Sequence, residues 1–355
     1  MERPARSIAD RVADHDRLRE QVGGLSDGDL RDLVMATPGR EAWAVTHVVE
    51  LDGHDLFVKR LPLTDLELAA GQTTANLFDL PVFYCYGVGS AGFGAYREVR
   101  AHEHASDLVV RGVTTGFPLL HHHRVMPRLE EPAPFWRPIP EYQAQWGGND
   151  AIRRMIEERM AARHEVWVVA ERIGGRVGRW LFDHPARAGE VVERLRAAAG
   201  ALTDAGTVHF DAHYGNALTD GDDFYLSDFG LAMSQSFELS AEERAFLDAH
   251  ATYDHALIIH GLADPLRYSY ALLDEEGKQR ADAVLGGQPA GATELVDRAD
   301  DLVEAGIVDL PPEYLDCLPA HRAVIELVDV FLHQIGRPDK TARFDDVECR
   351  RLLGL

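Results

Sequence analysis

Lysine is nearly missing from this chain. Of its 36 basic residues only Lys59, Lys278 and Lys340 are lysines, and arginine carries the rest. An excess of positive charge is missing as well, because 59 Asp and Glu leave a formal net charge of −23. That balance excludes a reader of the phosphate backbone, whose footprint is a basic patch or stripe, so no nucleic-acid partner is expected. An acidic surface suits a cationic substrate and serves equally as a solubility device. Long apolar runs are also lacking: none approaches the ~18 residues of a membrane span. The charged start, Met1 to Arg6, leads into no signal-peptide core. Cysteine is scarce, and Cys85, Cys317 and Cys349 are odd in number and without metal spacing, which excludes a disulfide framework or a zinc ribbon. A cytoplasmic protein with no membrane partner is the expectation.

What is present fits an ordinary globular protein, with 355 residues and 46% hydrophobic content, enough for one large domain or two lobes. Residues 7–22 carry Ile8, Val12, Leu18 and Val22 at helical spacing, and Gly23-Gly24 ends the run. Three strands are expected next: Leu33–Ala36, Ala44–Val49 and Asp55–Leu61. Turn signals at Thr37-Pro38-Gly39 and Asp52-Gly53 separate them. Gly87-Val88-Gly89-Ser90-Ala91-Gly92-Phe93-Gly94 matches G-x-G-x-x-G, the pattern of a dinucleotide-binding turn. A β-meander precedes it and no βαβ alternation follows, so it is read as the entry to a helix over 95–111. His121-His122-His123 invites a metal reading, but neighbours on a strand point to opposite faces, and half-buried imidazoles are expected instead. Residues 127–164, with Pro132, Pro134, Trp136 and Trp146 before a charged helix from Asp150 to His164, are too long for a strand connection and read as an insertion, either near the substrate entrance or forming an interaction surface, unless its aromatics simply pack. Helical spacing returns over 190–205, 241–263, 294–304, 319–335 and 344–353, and Ser240 with Glu243 forms a capping box.

The most informative stretch is His209-Phe210-Asp211-Ala212-His213-Tyr214-Gly215-Asn216, followed by Ser227-Asp228-Phe229-Gly230. It reads as strand, loop, strand, turn, strand, with two acids and an amide brought to one edge. In phosphoryl transfer one aspartate accepts a proton from the attacking hydroxyl, while an Asn oxygen and a second Asp hold the Mg²⁺ ions. The pattern H-x-D-x-x-x-x-N followed by D-F-G resembles the protein-kinase-like superfamily, in a form similar to its aminoglycoside and choline phosphotransferase branch.

The resemblance implies an α+β, bilobal fold. A helical extension would span 1–30, an antiparallel N-lobe with a helix of the αC kind 31–170 (interrupted by 127–164), and a mainly helical C-lobe 171–355. It implies His209, Asp211 and Asn216 as the catalytic loop, with Asp211 as the base and Asn216 and Asp228 as Mg²⁺ ligands. Lys59 would contact the ATP phosphates and pair with a helix glutamate. Glu98 borders the buried stripe through Ala101 and Ala105, whereas Glu103 faces Ser106 and Asp107, so Glu98 is preferred. Glu171 and Ile173 stand where a hinge would hold adenine. Two departures bear on the acceptor: Phe210 stands where protein kinases carry Arg, and no A-P-E follows Asp228-Phe229-Gly230. The expected activity is ATP- and Mg²⁺-dependent transfer to a hydroxyl of a small molecule. A Ser/Thr kinase acting on a protein or peptide, and a silent nucleotide-binding scaffold, stay open beside it.

Overall fold

Ser7 and Ser26 each turn a hydroxyl back onto the amide three residues on, that of Asp10 and of Asp29. Short side-chain acceptors at this position satisfy donors that a helix start leaves orphaned. They open α1 (Ile8–Gly24) and α2 (Asp27–Met35) in the computed structural model, which describes residues 7–41, 44–128, 130, 135–289, 291–337 and 340–355. Ala42 and Trp43, between the first two expected strands, and Pro132 and Pro134 of the insertion lie outside the described residues. The strand expected at Leu33–Ala36 is instead the end of α2, and the helical N-terminal stretch runs on to Met35. The apolar run Leu33-Val34-Met35 has no strand partner among the described residues. The Ser26 cap, with Leu30 and Val34 four residues apart, outweighs its local β preference.

β1 (Arg40–Glu41), β2 (Val45–Leu51), β3 (His54–Leu63), β4 (Leu120–Pro127) and β5 (His164–Glu171) form one antiparallel sheet in the order β1-β2-β3-β5-β4. Successive side chains of a strand face opposite sides, and both faces of β3 are used. Leu56 and Val58 meet Leu18, Val22, Leu30 and Val34 of α1 and α2 on one side. Leu61 and Leu63 meet Tyr96 and Val99 on the other, from α4 (Ala95–Val110). Each fully buried side chain of this kind contributes about 1.5–3 kcal/mol of transfer free energy.

A buried charge pair fixes α1 to the end of β5, an interior strand of the sheet. Arg11 donates from Nε and Nη2 to Glu171 at 3.1 and 2.8 Å, and to the carbonyls of Thr115 and Phe117. Both side chains are nearly inaccessible, at 3% and 5%. Removing one partner of such a pair leaves an uncompensated charge and costs about 3–5 kcal/mol. Arg11→Ala is therefore expected to lower the unfolding free energy by that amount in denaturant titration; a loss below about 1 kcal/mol, the scale of an exposed pair, would contradict this placement.

Between β3 and α4 lie α3 (Asp65–Ala70) and the loop through Gly87–Gly94. Between β4 and β5 the insertion folds as α5 (Ile139–Gln145) and α6 (Asp150–Ala161). The rest is helical apart from five short strands: β6 (Gly175–Arg176), β7 (Thr207–Val208), β8 (Ala217–Thr219), β9 (Phe224–Leu226) and β10 (Met233–Ser234). Its helices are α7 (Val177–Asp183), α8 (Ala188–Asp204), α9 (Ala241–Asp248), α10 (Tyr253–His260), α11 (Asp264–Leu272), α12 (Glu275–Leu285), α13 (Ala292–Asp297), α14 (Ala299–Glu304), α15 (Pro312–Leu315), α16 (Arg322–Ile335) and α17 (Asp346–Leu353). The run expected at 294–304 is thus two helices, broken at Arg298. The architecture is α+β with a small antiparallel sheet, and no helix of the described residues is long and apolar enough to cross a membrane.

Burial pushes His122, His209, His250 and His255 down to about 4, and His102 to about 3. Below about pH 6.5 the unfolded chain protonates these imidazoles and the native state does not, so stability falls as pH drops from 6.5 toward 4. Asp211 and Asp254, raised to about 7, act in the opposite sense but are fewer. Chemical denaturation at pH 7 and pH 5 is expected to give a lower midpoint at pH 5; a higher one would contradict the balance.

Candidate active site

The β8–β9 hairpin pairs Ala217 with Leu226 and Thr219 with Phe224, so its open end brings residues 216 and 227 side by side. Ser227 locks that end by donating its amide at 2.9 Å and its hydroxyl at 2.7 Å to the Asn216 carbonyl. Asn216 and Asp228 therefore leave the hairpin together. Asn216 donates Nδ2 to the Asp211 carboxylate at 2.7 Å. Across from them, Lys59 on β3 reaches Glu98 of α4 at 2.6 Å and Asp228 at 2.7 Å. Glu103 is elsewhere, paired with Arg100 at 2.6 Å, which settles the choice between the two glutamates.

Strained backbone holds this arrangement. Phe210 and Asp228 sit at φ 63° and 65°, a region that costs non-glycine residues of order 1–3 kcal/mol. The restraint at Phe210 is Asp254 on α10, a residue the sequence reading missed. Its buried carboxylate accepts the amides of His209 at 2.7 Å and Phe210 at 2.9 Å. The signal was available: an acid stands alone among apolar residues in Tyr253-Asp254-His255-Ala256-Leu257-Ile258-Ile259. Asp254→Ala would orphan two buried donors at about 1–3 kcal/mol each. A lowered melting temperature is expected, partly recovered in Asp254→Asn, which keeps one acceptor oxygen; an unchanged melting temperature in the alanine variant would contradict the anchoring role.

His209, expected within the catalytic loop, does not line the cleft and positions its neighbours instead. It is fully buried, with Nε2 3.1 Å from the Ser227 carbonyl and Nδ1 accepting the Asp211 amide at 3.3 Å. Burial keeps it neutral, with its pKa near 4. The ring also rests on Phe229, whose other ring neighbours are His102 and Phe117.

The two aspartates are driven apart electrostatically. Burial, with the nearby Asp228 charge, pushes the Asp211 carboxyl up to about 7. Burial acts the same way on Asp228, but Lys59 outweighs it and holds that group near 2, although 47% of the side chain is accessible. One carboxylate is poised to take up a proton near neutral pH and the other stays ionised, the division that acid–base sites exploit. Burial, working against Lys59, raises Glu98, and its two carboxylate partners raise Lys59 despite burial.

All five groups line one cleft of about 730 Å³, within the range of small-molecule sites. Glu171 and Ile173, expected at the hinge, are not among its lining residues. The Glu171 carboxylate is committed to Arg11 and its amide donates to the Leu119 carbonyl at 2.8 Å, so position along the chain alone was a poor guide. The cleft instead takes in the loop before α4 and Phe135, Trp136 and Arg159 of the insertion. That loop is more than an entry to a helix. A Cβ on Gly87 would lie 1.9 Å from Asp211 Oδ1, and one on Gly92 would lie 2.5 Å from the Gly230 carbonyl. Only glycine allows this backbone to close over both the 209–216 loop and the Asp228-Phe229-Gly230 turn.

In the histidine run His121 Nδ1 lies 3.1 Å from His15 Nδ1; no group of three or more His, Cys, Asp or Glu side chains among the described residues is arranged to bind a metal ion. No protein-family model matches the chain, and no curated protein matches its sequence.

Proposed function

We propose that this chain is a protein-kinase-like phosphotransferase that moves the γ-phosphoryl group of ATP, with Mg²⁺, to a hydroxyl group of a small molecule. One observation carries the reading: Lys59 bridges Glu98 and Asp228 in the cleft that also holds Asp211 and Asn216. A catalyst of phosphoryl transfer needs mainly positioning and charge neutralisation, and these groups supply both.

The donor set suits Mg²⁺. That ion takes one or two carboxylates and leaves its other positions to phosphate oxygens and water. Asp228 offers an ionised carboxylate. Asn216, its Nδ2 spent on Asp211, keeps an Oδ1 that accepts no hydrogen bond among the described residues. When bound, the metal would offset charge on the phosphate oxygens. Lys59 holds the phosphates as a compact point charge, oriented by Glu98. Asp211 accepts the proton of the acceptor hydroxyl as its oxygen bonds to the γ-phosphorus and the bond to the bridging oxygen breaks, releasing ADP.

A small acceptor is favoured over a peptide by what surrounds the cleft. The insertion reaches it with Phe135, Trp136 and Arg159. Only ten residues separate Gly230 from α9, and β10 pairs Met233–Ser234 back to β7 within them, leaving little chain to dock a peptide. ADP formation stimulated by a pool of hydroxylated metabolites but not by Ser/Thr peptides tests this. Stimulation by peptides alone, or phosphate on the chain itself by intact mass, would move the reading to a protein kinase. ATP binding without transfer under either condition would leave a scaffold.

A further inference from the structure

The resemblance drawn above implies a phosphate-covering turn between the first two expected strands, and residues 37–43 there hold a single glycine, Gly39. A Cβ on Gly39 would lie 2.7 Å from Val45 and 3.0 Å from His47, so its space is taken up against β2. The glycine-rich segment of this chain lies elsewhere, between β3 and α4, and it closes over the site.

That segment is clamped from one side. Gln145 donates to the Val88 carbonyl at 3.1 Å and Tyr142 to the Gly89 carbonyl at 2.9 Å. Arg159 donates to the Ala91 carbonyl, and the Ala91 amide donates to Tyr84 at 3.0 Å. Three of the four clamping residues come from α5 and α6, and Tyr84 and Tyr142 are themselves joined, 2.5 Å apart. In a trans peptide the C=O of one residue and the N–H of the next point in opposite directions, and the chain has no cis peptide bond among the described residues. With the Val88 and Gly89 carbonyls turned toward the insertion, the amides of Gly89 and Ser90 turn away from it. Neither donates to any group among the described residues, and both residues line the cleft. Gly89 sits at φ 96°, the left-handed region in which consecutive amides converge into an anion-binding concavity.

Arg159 adds charge at the same place. It lines the cleft, and its Nε is buried without a hydrogen-bond partner among the described residues.

We propose that Val88–Gly92, held by Tyr142, Gln145 and Arg159, is the phosphate-binding loop of this site, taking the oxygens of a nucleotide triphosphate on the Gly89 and Ser90 amides. The insertion between β4 and β5 thereby positions the donor's phosphates as well as bordering the substrate space. This assignment rests on the nucleotide reading given above and goes beyond it in placing the phosphate grip on a loop before α4 instead of the turn at 37–43.

Calorimetric titration with ATP·Mg²⁺, adenosine and inorganic tripolyphosphate tests it, using the wild type, Gly89→Val and Arg159→Gln. A Cβ at Gly89 meets only Gln145 Nε2, at 3.4 Å, so the substitution strains the loop backbone without a clash in the core, and melting temperatures check that both variants fold. Both variants are expected to bind ATP·Mg²⁺ and tripolyphosphate about 10-fold or more weakly, with adenosine affinity unchanged. Wild-type affinity for ATP·Mg²⁺ in both variants would overturn the loop assignment and leave the nucleotide reading standing. A wild type that binds tripolyphosphate in a Gly89-dependent way but not ATP would keep the loop and overturn the nucleotide. Binding of neither would overturn both.

Discussion

Replacing Asp211 with asparagine is expected to lower phosphoryl transfer by about 10²- to 10⁴-fold, the usual share of a general base, while ATP affinity stays within a few-fold. The substitution keeps the shape that Asn216 and Gly87 pack against and removes the carboxylate's charge with its capacity to take a proton. Its neighbour Asp228 behaves differently. Asp228→Asn removes the ionised carboxylate held near 2 by Lys59, so the loss is expected in Mg²⁺-dependent ATP binding as well as in turnover. Rates and binding isotherms measured on both variants separate the roles. If Asp211→Asn turned over at the wild-type rate, the mechanism would be wrong even if ATP bound.

The second large effect is expected at Lys59. Among the described residues its ammonium is the one cation in contact with both Glu98 and Asp228, and Glu98 is 5% exposed. Lys59→Met would leave Glu98 buried beside Asp228 without its counter-charge, at a cost of about 3–5 kcal/mol, discounted to the extent that Glu98 takes up a proton. Transfer should fall to background. The double variant Lys59→Met, Glu98→Gln removes the orphaned charge, so it should regain part of the lost stability and none of the activity. A double variant as unstable as the single one would show that the pair is not coupled, contrary to the 2.6 Å contact.

How much of this was legible in the sequence differs from residue to residue. Asp211, Asn216 and Asp228 could be read because a short hairpin fixes their spacing, and local geometry follows local sequence. Lys59 and Glu98 could be read because strand and helix periods assign their faces, and the rarity of lysine drew attention to one of three. Leu33–Ala36 was misread because an apolar run of four looks alike in a strand and in a helix end; the deciding cap, Ser26, lies seven residues earlier. Asp254 and the Arg11–Glu171 pair were missed because they join residues 45 and 160 positions apart. Such contacts leave no periodic trace. The Gly87–Gly94 loop was recognised as a pattern but set aside, since its proximity to Asp211 and its clamp by Tyr142, Gln145 and Arg159 exist only in the fold. Glu171 shows the converse error: its position suggested a ligand contact, while its carboxylate and amide are spent on Arg11 and Leu119.

The most direct measurement follows the γ-phosphate itself. ATP labelled at the γ position is incubated with Mg²⁺, a pool of hydroxylated small molecules and either the wild-type chain or Asp211→Asn, and the label is traced by phosphorus NMR and mass spectrometry. The account predicts that the wild type moves the label onto a small-molecule hydroxyl with stoichiometric ADP, and that Asp211→Asn does so at least about 100-fold more slowly. Label remaining on ATP with the folded wild type across the pool and a peptide library, or equal transfer by the two proteins, would contradict it.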